Sequence, residues 1–185
     1  MRITAQQLEA QLDAFGRHRM EIVAELAHEG PPDRIGPALL LAMGSRETDL
    51  RNIVGDSGHG RGWLQIDDRF HHLWLSKHRG CQSGSFKTKF TSALPKGRVP
   101  SLTASTLFAV EMLRSNMQFA LQHGVSKPKA LRFALAAYNA GAGGALKGFQ
   151  AGKIDLQTAH KDYSADVLER KAVVARFLKR HGLPT

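Results

Sequence analysis

The sequence predicts an α+β domain that is mostly α-helical, with one small glycine-rich lobe that can hold a short sheet. Apolar residues recur at helical spacing over most of the 185 residues. Four glycines fall within residues 55–62, a density typical of loops with unusual backbone angles. The segment Trp63–Asp67 that follows alternates in the manner of a strand. We therefore expect a helical core with this lobe inserted after the second helix.

The first thirty residues contain a predicted amphipathic helix, from about Thr4 to Glu29. Its apolar positions recur at near-helical spacing with polar residues between them: Leu8, Leu12, Phe15, Ile22, Val23 and Leu26. The next predicted helix runs from Ile35 to about Thr48 and is apolar on nearly every face. A helix without a polar face is usually buried on all sides, so this segment is the expected centre of the fold.

Residues 80–100 are basic and rich in Ser, Thr, Gly, Lys and Pro, which predicts a flexible basic surface lobe. Beyond it the pattern predicts helices from Ser101 to about His123 and from Pro128 to Ala140. A short helical piece near residues 145–150 and a final helix from about Thr158 to Arg180 complete the chain. No internal repeat or domain boundary is evident, so we predict one domain over residues 1–185, with no sign of more than a monomer.

The composition is strongly basic, with 26 Lys and Arg against 16 Asp and Glu, a formal net charge of +10. This charge predicts attraction to polyanions, and nucleic acid, anionic lipid and bacterial cell wall all qualify. No nucleic-acid recognition motif accompanies the basic residues, so nucleic acid is not expected as the main ligand. No apolar run is long enough to span a bilayer, and the first residues lack the apolar segment of a secretory signal. We therefore expect synthesis in the cytoplasm.

Neither a metal nor an organic cofactor is expected. Cys81 is the single cysteine, which excludes an internal disulfide and a cysteine-based zinc finger. The adjacent His71 and His72 would diverge on a helix or strand, and no HExxH motif occurs. The glycine spacing over residues 55–62 matches neither the dinucleotide fingerprint nor the P-loop.

The candidate for acid–base chemistry is Glu47, which directly follows the apolar run of the second helix. A carboxyl beside apolar side chains is disfavoured in its charged form, so its pKa should rise toward the value that a general acid needs. The alternative is that Glu47 only solvates the helix end, or pairs with Arg46 or Arg51.

Two further carboxylates, Asp56 and Asp67, flank the glycine-rich turn, where glycines allow a ligand to approach the backbone closely. One general acid with one or two carboxylates across a cleft is the equipment of glycoside hydrolysis. Asp56 alone is equally compatible with ordinary turn chemistry.

Four segments, in order, resemble goose-type lysozyme, a family related to the soluble lytic transglycosylases. They are Ser45–Thr48, Gly55–Asp67, Ala137–Gly143 and His160–Val167. The resemblance extends from about residue 35 to the end of the chain, apart from the basic segment 80–100. It implies a lysozyme-like fold and cleavage of the β-1,4 bond between N-acetylmuramic acid and N-acetylglucosamine in peptidoglycan.

The resemblance also implies roles for individual residues. Glu47 falls on the catalytic acid, and Asp56 and Asp67 fall on two aspartates that hold the attacking water, which predicts inversion at the anomeric carbon. The residues that it places along the substrate cleft are Gln65, His71, Tyr138, Asn139 and Tyr163. Peptidoglycan is then the expected partner, and anionic wall polymers are a further candidate for the basic surface.

The chain departs from the family at Trp63, where a small residue is more common, and in lacking the disulfides and secretory signal of secreted animal members. We therefore expect a bacterial or phage origin and action on the cell wall after release or delivery. Two alternatives stay open. A lytic transglycosylase would use the same acid and form a 1,6-anhydro product, whereas an inactive wall- or polyanion-binding module would not need Glu47.

Overall fold

The computed structural model describes residues 3–28, 35–77 and 99–185. These residues form seven α-helices and a small antiparallel sheet, which confirms the predicted α+β, mostly helical fold class. The helices are α1 (Ala5–Phe15), α2 (Arg17–His28), α3 (Pro37–Thr48), α4 (Asp68–Lys77), α5 (Leu102–Gln122), α6 (Lys127–Gln150) and α7 (Tyr163–Arg180). The strands are β1 (Val54–Gly55), β2 (Gly60–Arg61) and β3 (Ile66–Asp67), paired in that order.

Helix α3 is the centre of the core, as its apolar composition predicts. It begins at Pro37, whose fixed φ suits the first helical position, and residues 38–43 are at most 2% exposed. Helices α2 and α7 pack against it. Asp49 takes a left-handed conformation, with φ 53°, and ends the helix. The last turn, which contains Glu47, is thereby held at a fixed position beside α7.

The single N-terminal helix predicted over residues 4–29 is wrong, because the structure has two helices there. Thr4 and Gln7 form a reciprocal capping box at the start of α1. Gly16 has φ 91°, a conformation that glycine adopts without strain, and it ends α1 before α2 begins at Arg17. The apolar spacing continues across this break, so the sequence pattern does not reveal it.

The glycine-rich lobe contains the sheet, although the predicted strand over Trp63–Asp67 is reduced to its last two residues. Residues 62–65 form a turn, in which Gln65 has φ 48°. Val54 pairs with Arg61, and Gly60 pairs with Asp67. Helix α4 follows β3 directly and was not predicted as an element.

The C-terminal half differs from the prediction at two helix ends. The two predicted helical pieces between residues 128 and 150 form α6, which is interrupted at Gly141, where φ is 73°. Helix α7 begins at Tyr163 rather than near Thr158, because His160 and Lys161 have left-handed φ angles within a 3₁₀ turn. The flexible lobe predicted over residues 80–100 lies outside the described residues except for its last two positions. No helix in the described ranges is long and apolar enough to cross a membrane.

Candidate active site

Glu47 lies in the last turn of α3, beside the buried apolar residues of that helix. Burial raises the pKa of its carboxyl from an ordinary 4.5 to about 7, although a hydrogen bond from Tyr163 and the charge of Arg46 act in the opposite direction. The raised pKa that the sequence predicts is confirmed. Near neutral pH a large share of the molecules therefore keeps a proton on Glu47.

The neighbouring arginines are engaged elsewhere. Arg46 donates to Asp162 at 2.9 Å and to Asp166 at 3.1 Å. Arg51 donates to the carbonyl oxygen of Thr48, the last residue of α3, and to the side chain of Asp49. Within the described residues Glu47 forms no ion pair, so the alternative of a salt-bridged helix end is wrong. The contacts of Arg46 instead tie the end of α3 to the start of α7.

Two tyrosines lie beside Glu47. The hydroxyl of Tyr163, at the start of α7, donates to Glu47 Oε1 at 2.5 Å. The hydroxyl of Tyr138, on α6, donates to the carbonyl oxygen of Leu64 at 2.8 Å. Burial first, and then the charge of Glu47, raise the pKa of both tyrosines well above 10. Both hydroxyls therefore stay protonated and act as hydrogen-bond donors.

Asp56 and Asp67 are brought together by a residue that the sequence analysis did not single out, Arg69. Its Nη2 atom donates to Asp56 Oδ2 at 2.6 Å and to Asp67 Oδ2 at 2.5 Å. Its Nε and backbone N–H donate to Asp67 Oδ1 at 3.0 and 2.9 Å. Burial alone would raise the pKa of Asp67, but these hydrogen bonds and the charge of Arg69 outweigh burial and lower it.

The side chain of Gln65 packs against the backbone of the glycine-rich loop. Its Nε2 donates to the carbonyl oxygen of Gly62 at 2.8 Å. A Cβ atom on either Gly55 or Gly60 would lie 2.2 Å from Gln65 Oε1, so a larger residue at either position would displace the Gln65 amide. The structure thus turns Gln65 toward the loop backbone, and its role in substrate binding stays a prediction.

The other predicted cleft residues have defined surroundings. The His71 ring packs edge-on against Phe108, with ring centroids 4.8 Å apart, and Phe108 also contacts the Tyr138 ring at 6.3 Å. Burial lowers the pKa of His71, and the charge of Asp67 partly offsets this. Asn139 Oδ1 accepts the backbone N–H of Ala159 at 2.8 Å, which joins α6 to the 3₁₀ turn before α7.

The structure therefore assembles the predicted residues into two groups, with Tyr138 between them. Glu47 and Tyr163 form the first group, and Asp56, Asp67 and His71 lie together in the second. The charge of Glu47 contributes to the raised pKa of Tyr138, and the Tyr138 hydroxyl donates to the carbonyl oxygen of Leu64, three residues before Asp67. The helix end and the sheet that hold the three acids consequently flank the same tyrosine.

Trp63, the position that departs from the family pattern, lies in the core. It is 1% exposed, its ring packs against Phe15, and its carbonyl accepts the hydroxyl of Thr48. A Cβ atom on Gly44 would lie 2.3 Å from this ring. Trp63 therefore packs against α3 within the core. The sequence gives no signal of this, because Trp63 adjoins the cleft motif.

The arrangement combines a partly buried acid, Glu47, which keeps its proton near neutral pH, with two carboxylates held by one arginine. Such a set can protonate a leaving oxygen and orient a water molecule. Within residues 3–28, 35–77 and 99–185, no three His, Cys, Asp or Glu side chains cluster in a way that could hold a metal ion. Cys81 lies outside these ranges.

The comparisons with known proteins point the same way as the motifs. No protein-family model matches the chain. It is 28% identical to lysozyme g of Gallus gallus over 152 residues, which cover 80% of this chain and 59% of that protein. It is 28% identical to lysozyme g of Struthio camelus over 155 residues, and 27% identical to lysozyme g of Casuarius casuarius over 152 residues. The alignments cover 61% and 67% of these two proteins, so the chain spans about three fifths of the length of these relatives. The chain is therefore related to the goose-type lysozymes.

Proposed function

We propose that this chain is a peptidoglycan hydrolase of the muramidase type, which cleaves the β-1,4 bond between N-acetylmuramic acid and N-acetylglucosamine. The observation that carries this proposal is the carboxyl of Glu47, which is partly buried, accepts a hydrogen bond from Tyr163 and has a pKa of about 7. A glycoside hydrolase needs such a carboxylic acid to protonate the leaving oxygen. The relationship to goose-type lysozymes supports the choice of substrate.

In the proposed mechanism, Glu47 gives its proton to the glycosidic oxygen as the bond to the anomeric carbon breaks. Positive charge develops on the sugar ring in an oxocarbenium-like transition state. Asp56 and Asp67 hold a water molecule, and one of them accepts its proton while the water oxygen bonds to the anomeric carbon. Attack from the face opposite the leaving group inverts the configuration, and the proton balance leaves Glu47 ionised and one aspartate protonated.

A lytic transglycosylase would use Glu47 in the same way but would let the muramyl 6-hydroxyl attack, which gives a 1,6-anhydro product. The contact of Asp56 and Asp67 with one arginine favours water as the attacking group, because a pair of adjacent carboxylates can orient it. The basic surface, with a net charge of +10, would concentrate the enzyme on the anionic bacterial wall.

The test is incubation with purified peptidoglycan, followed by mass analysis of the released muropeptides. The wild type should release hydrated muropeptides, and a predominance of products lighter by one water would favour the transglycosylase. Glu47→Gln should lose at least about 99% of the activity, since acid catalysis contributes about 10²–10⁴-fold. Glu25→Gln, which alters an exposed glutamate on α2, is the matched control and should stay active. Wall lysis by Glu47→Gln at the wild-type rate would contradict the assignment of the acid.

A further inference from the structure

We propose that Arg69 is a positioning residue that holds Asp56 and Asp67 as one unit and so keeps the pair ready to orient water. This inference depends on the proposed function and deepens it, because it concerns the same site. One atom, Arg69 Nη2, contacts both carboxylates. Because Nη2 lies 2.6 Å from Asp56 Oδ2 and 2.5 Å from Asp67 Oδ2, these two oxygens lie within about 5 Å of each other.

Without a cation between them, two carboxylates at this separation repel each other. Like charges at such distances raise the pKa of one member of the pair, and the pair then titrates as a coupled unit. Asp56 lies in a short 3₁₀ turn, in which Asp56 and Ser57 have left-handed φ angles of 44° and 53°. Arg69 ties this turn to the start of α4.

No other described charged group nearby contacts both Asp56 and Asp67. Asp68, next to Asp67 in sequence, turns the other way and pairs with His59 at 3.0 Å and with Arg61 at 2.9 Å. His71 is near enough to Asp67 for each charge to affect the other. Of the described groups that face the pair, Arg69 is the one whose contacts reach both Asp56 and Asp67.

The side chains of Arg69 and Asp56 are 46% and 57% exposed, so solvent reaches the pair. Ion pairs with this exposure add little to folding stability. The effect of Arg69 is therefore expected in the state of the two carboxylates and not in the stability of the fold. With Arg69 in place, the pKa of Asp67 is held below its ordinary value, whereas Glu47 keeps its proton up to about pH 7.

The first test compares pH profiles of kcat/KM on soluble peptidoglycan fragments for the wild type, Arg69→Met and Arg69→Lys. The acid limb of the profile is the loss of kcat/KM at low pH, where the aspartates become protonated. Arg69→Met should shift this limb upward by about one pH unit, because an adjacent arginine lowers an aspartate pKa by about 1–3. The basic limb, which belongs to Glu47, should stay near pH 7. Arg69→Lys should restore the acid limb in part, since lysine supplies the charge without the fork of donors.

The control is Arg176→Met, which removes an exposed arginine on α7 and should leave both limbs unchanged. Equal loss of activity by Arg69→Met at every pH, with the acid limb in place, would overturn the proposal and leave a merely structural role. If the wild type releases no muropeptides, the proposed function itself fails.

A second test needs no activity. An NMR titration of the aspartate carboxyl carbons in folded protein should show Asp67 titrating at higher pH in Arg69→Met than in the wild type, with intermediate behaviour in Arg69→Lys. Asp67 titrating at the same pH in all three proteins would overturn the inference, whatever the substrate proves to be.

Discussion

Replacing Glu47 by glutamine should stabilise the protein at neutral and alkaline pH. The pKa of this carboxyl is about 7 in the folded protein, against an ordinary 4.5. The folded state therefore binds the proton more tightly than the unfolded state does. As a consequence, the free energy of unfolding falls as the pH rises from about 4.5 to about 7. At about 1.4 kcal/mol for each pKa unit, the wild type loses about 3 kcal/mol over this range.

Glutamine is neutral at every pH, and its amide oxygen can still accept the hydroxyl of Tyr163. We therefore expect equal stability of Glu47→Gln and wild type near pH 4, and a variant more stable by about 2–3 kcal/mol near pH 8. Urea unfolding curves at several pH values measure this difference. Glu25→Gln is again the control, and a surface change of this kind should alter stability by less than about 0.5 kcal/mol at each pH.

A difference between Glu47→Gln and wild type that does not vary with pH would refute the reasoning. It would mean that the folded protein solvates the carboxyl as well as the unfolded chain does. Because the measurement needs no substrate, it tests the burial of the acid separately from the proposed chemistry.

Two further predictions concern the surroundings of Glu47. Tyr163→Phe removes a hydrogen bond that favours the charged form of Glu47, so the basic limb of the pH profile should move from about 7 to about 8. The control is Tyr138→Phe, which removes a hydroxyl that bonds to the carbonyl oxygen of Leu64 and should leave that limb in place. Gly44→Ala should cost about 1–3 kcal/mol in urea unfolding, because its methyl group would overlap the buried Trp63 ring, whereas Gly143→Ala, with open space around it, should be neutral or stabilising. An unshifted limb in Tyr163→Phe, or a Gly44→Ala as stable as wild type, would contradict these assignments.

The fold was predictable where a short stretch of sequence determines the environment. The apolar run of α3 needs no knowledge of its neighbours to be placed in the core, and the raised pKa of Glu47 follows from that run. The glycine-rich loop predicts a close approach of a ligand to the backbone, which stays a prediction; beside Gly55 and Gly60 the structure instead has the Gln65 side chain.

The prediction failed where apolar residues do not face the core or where one residue interrupts a continuing pattern. Helix α4 leaves Phe70 75% and Leu73 64% exposed, so its apolar positions do not trace a buried stripe. Gly16 divides the N-terminal helix although the spacing of apolar residues continues past it. The contact of Arg69 with Asp56, 13 residues away, exists because the turns between β1, β2 and β3 fold the chain back, which no local pattern encodes.

Glu47 lies where burial disfavours its charged form, whereas Asp67 lies where Arg69 favours its charged form, and the proposed chemistry requires this difference. Burial beside α3 lets Glu47 keep its proton up to about pH 7, whereas the hydrogen bonds and charge of Arg69 lower the pKa of Asp67. Below about pH 7 the proposed site therefore combines a proton donor with an aspartate, Asp67, whose charged form is favoured. The burial that makes Glu47 an acid also opposes folding once that acid is ionised. The ion pairs of Arg46 with Asp162 and Asp166 hold the end of α3 against α7 where this cost arises.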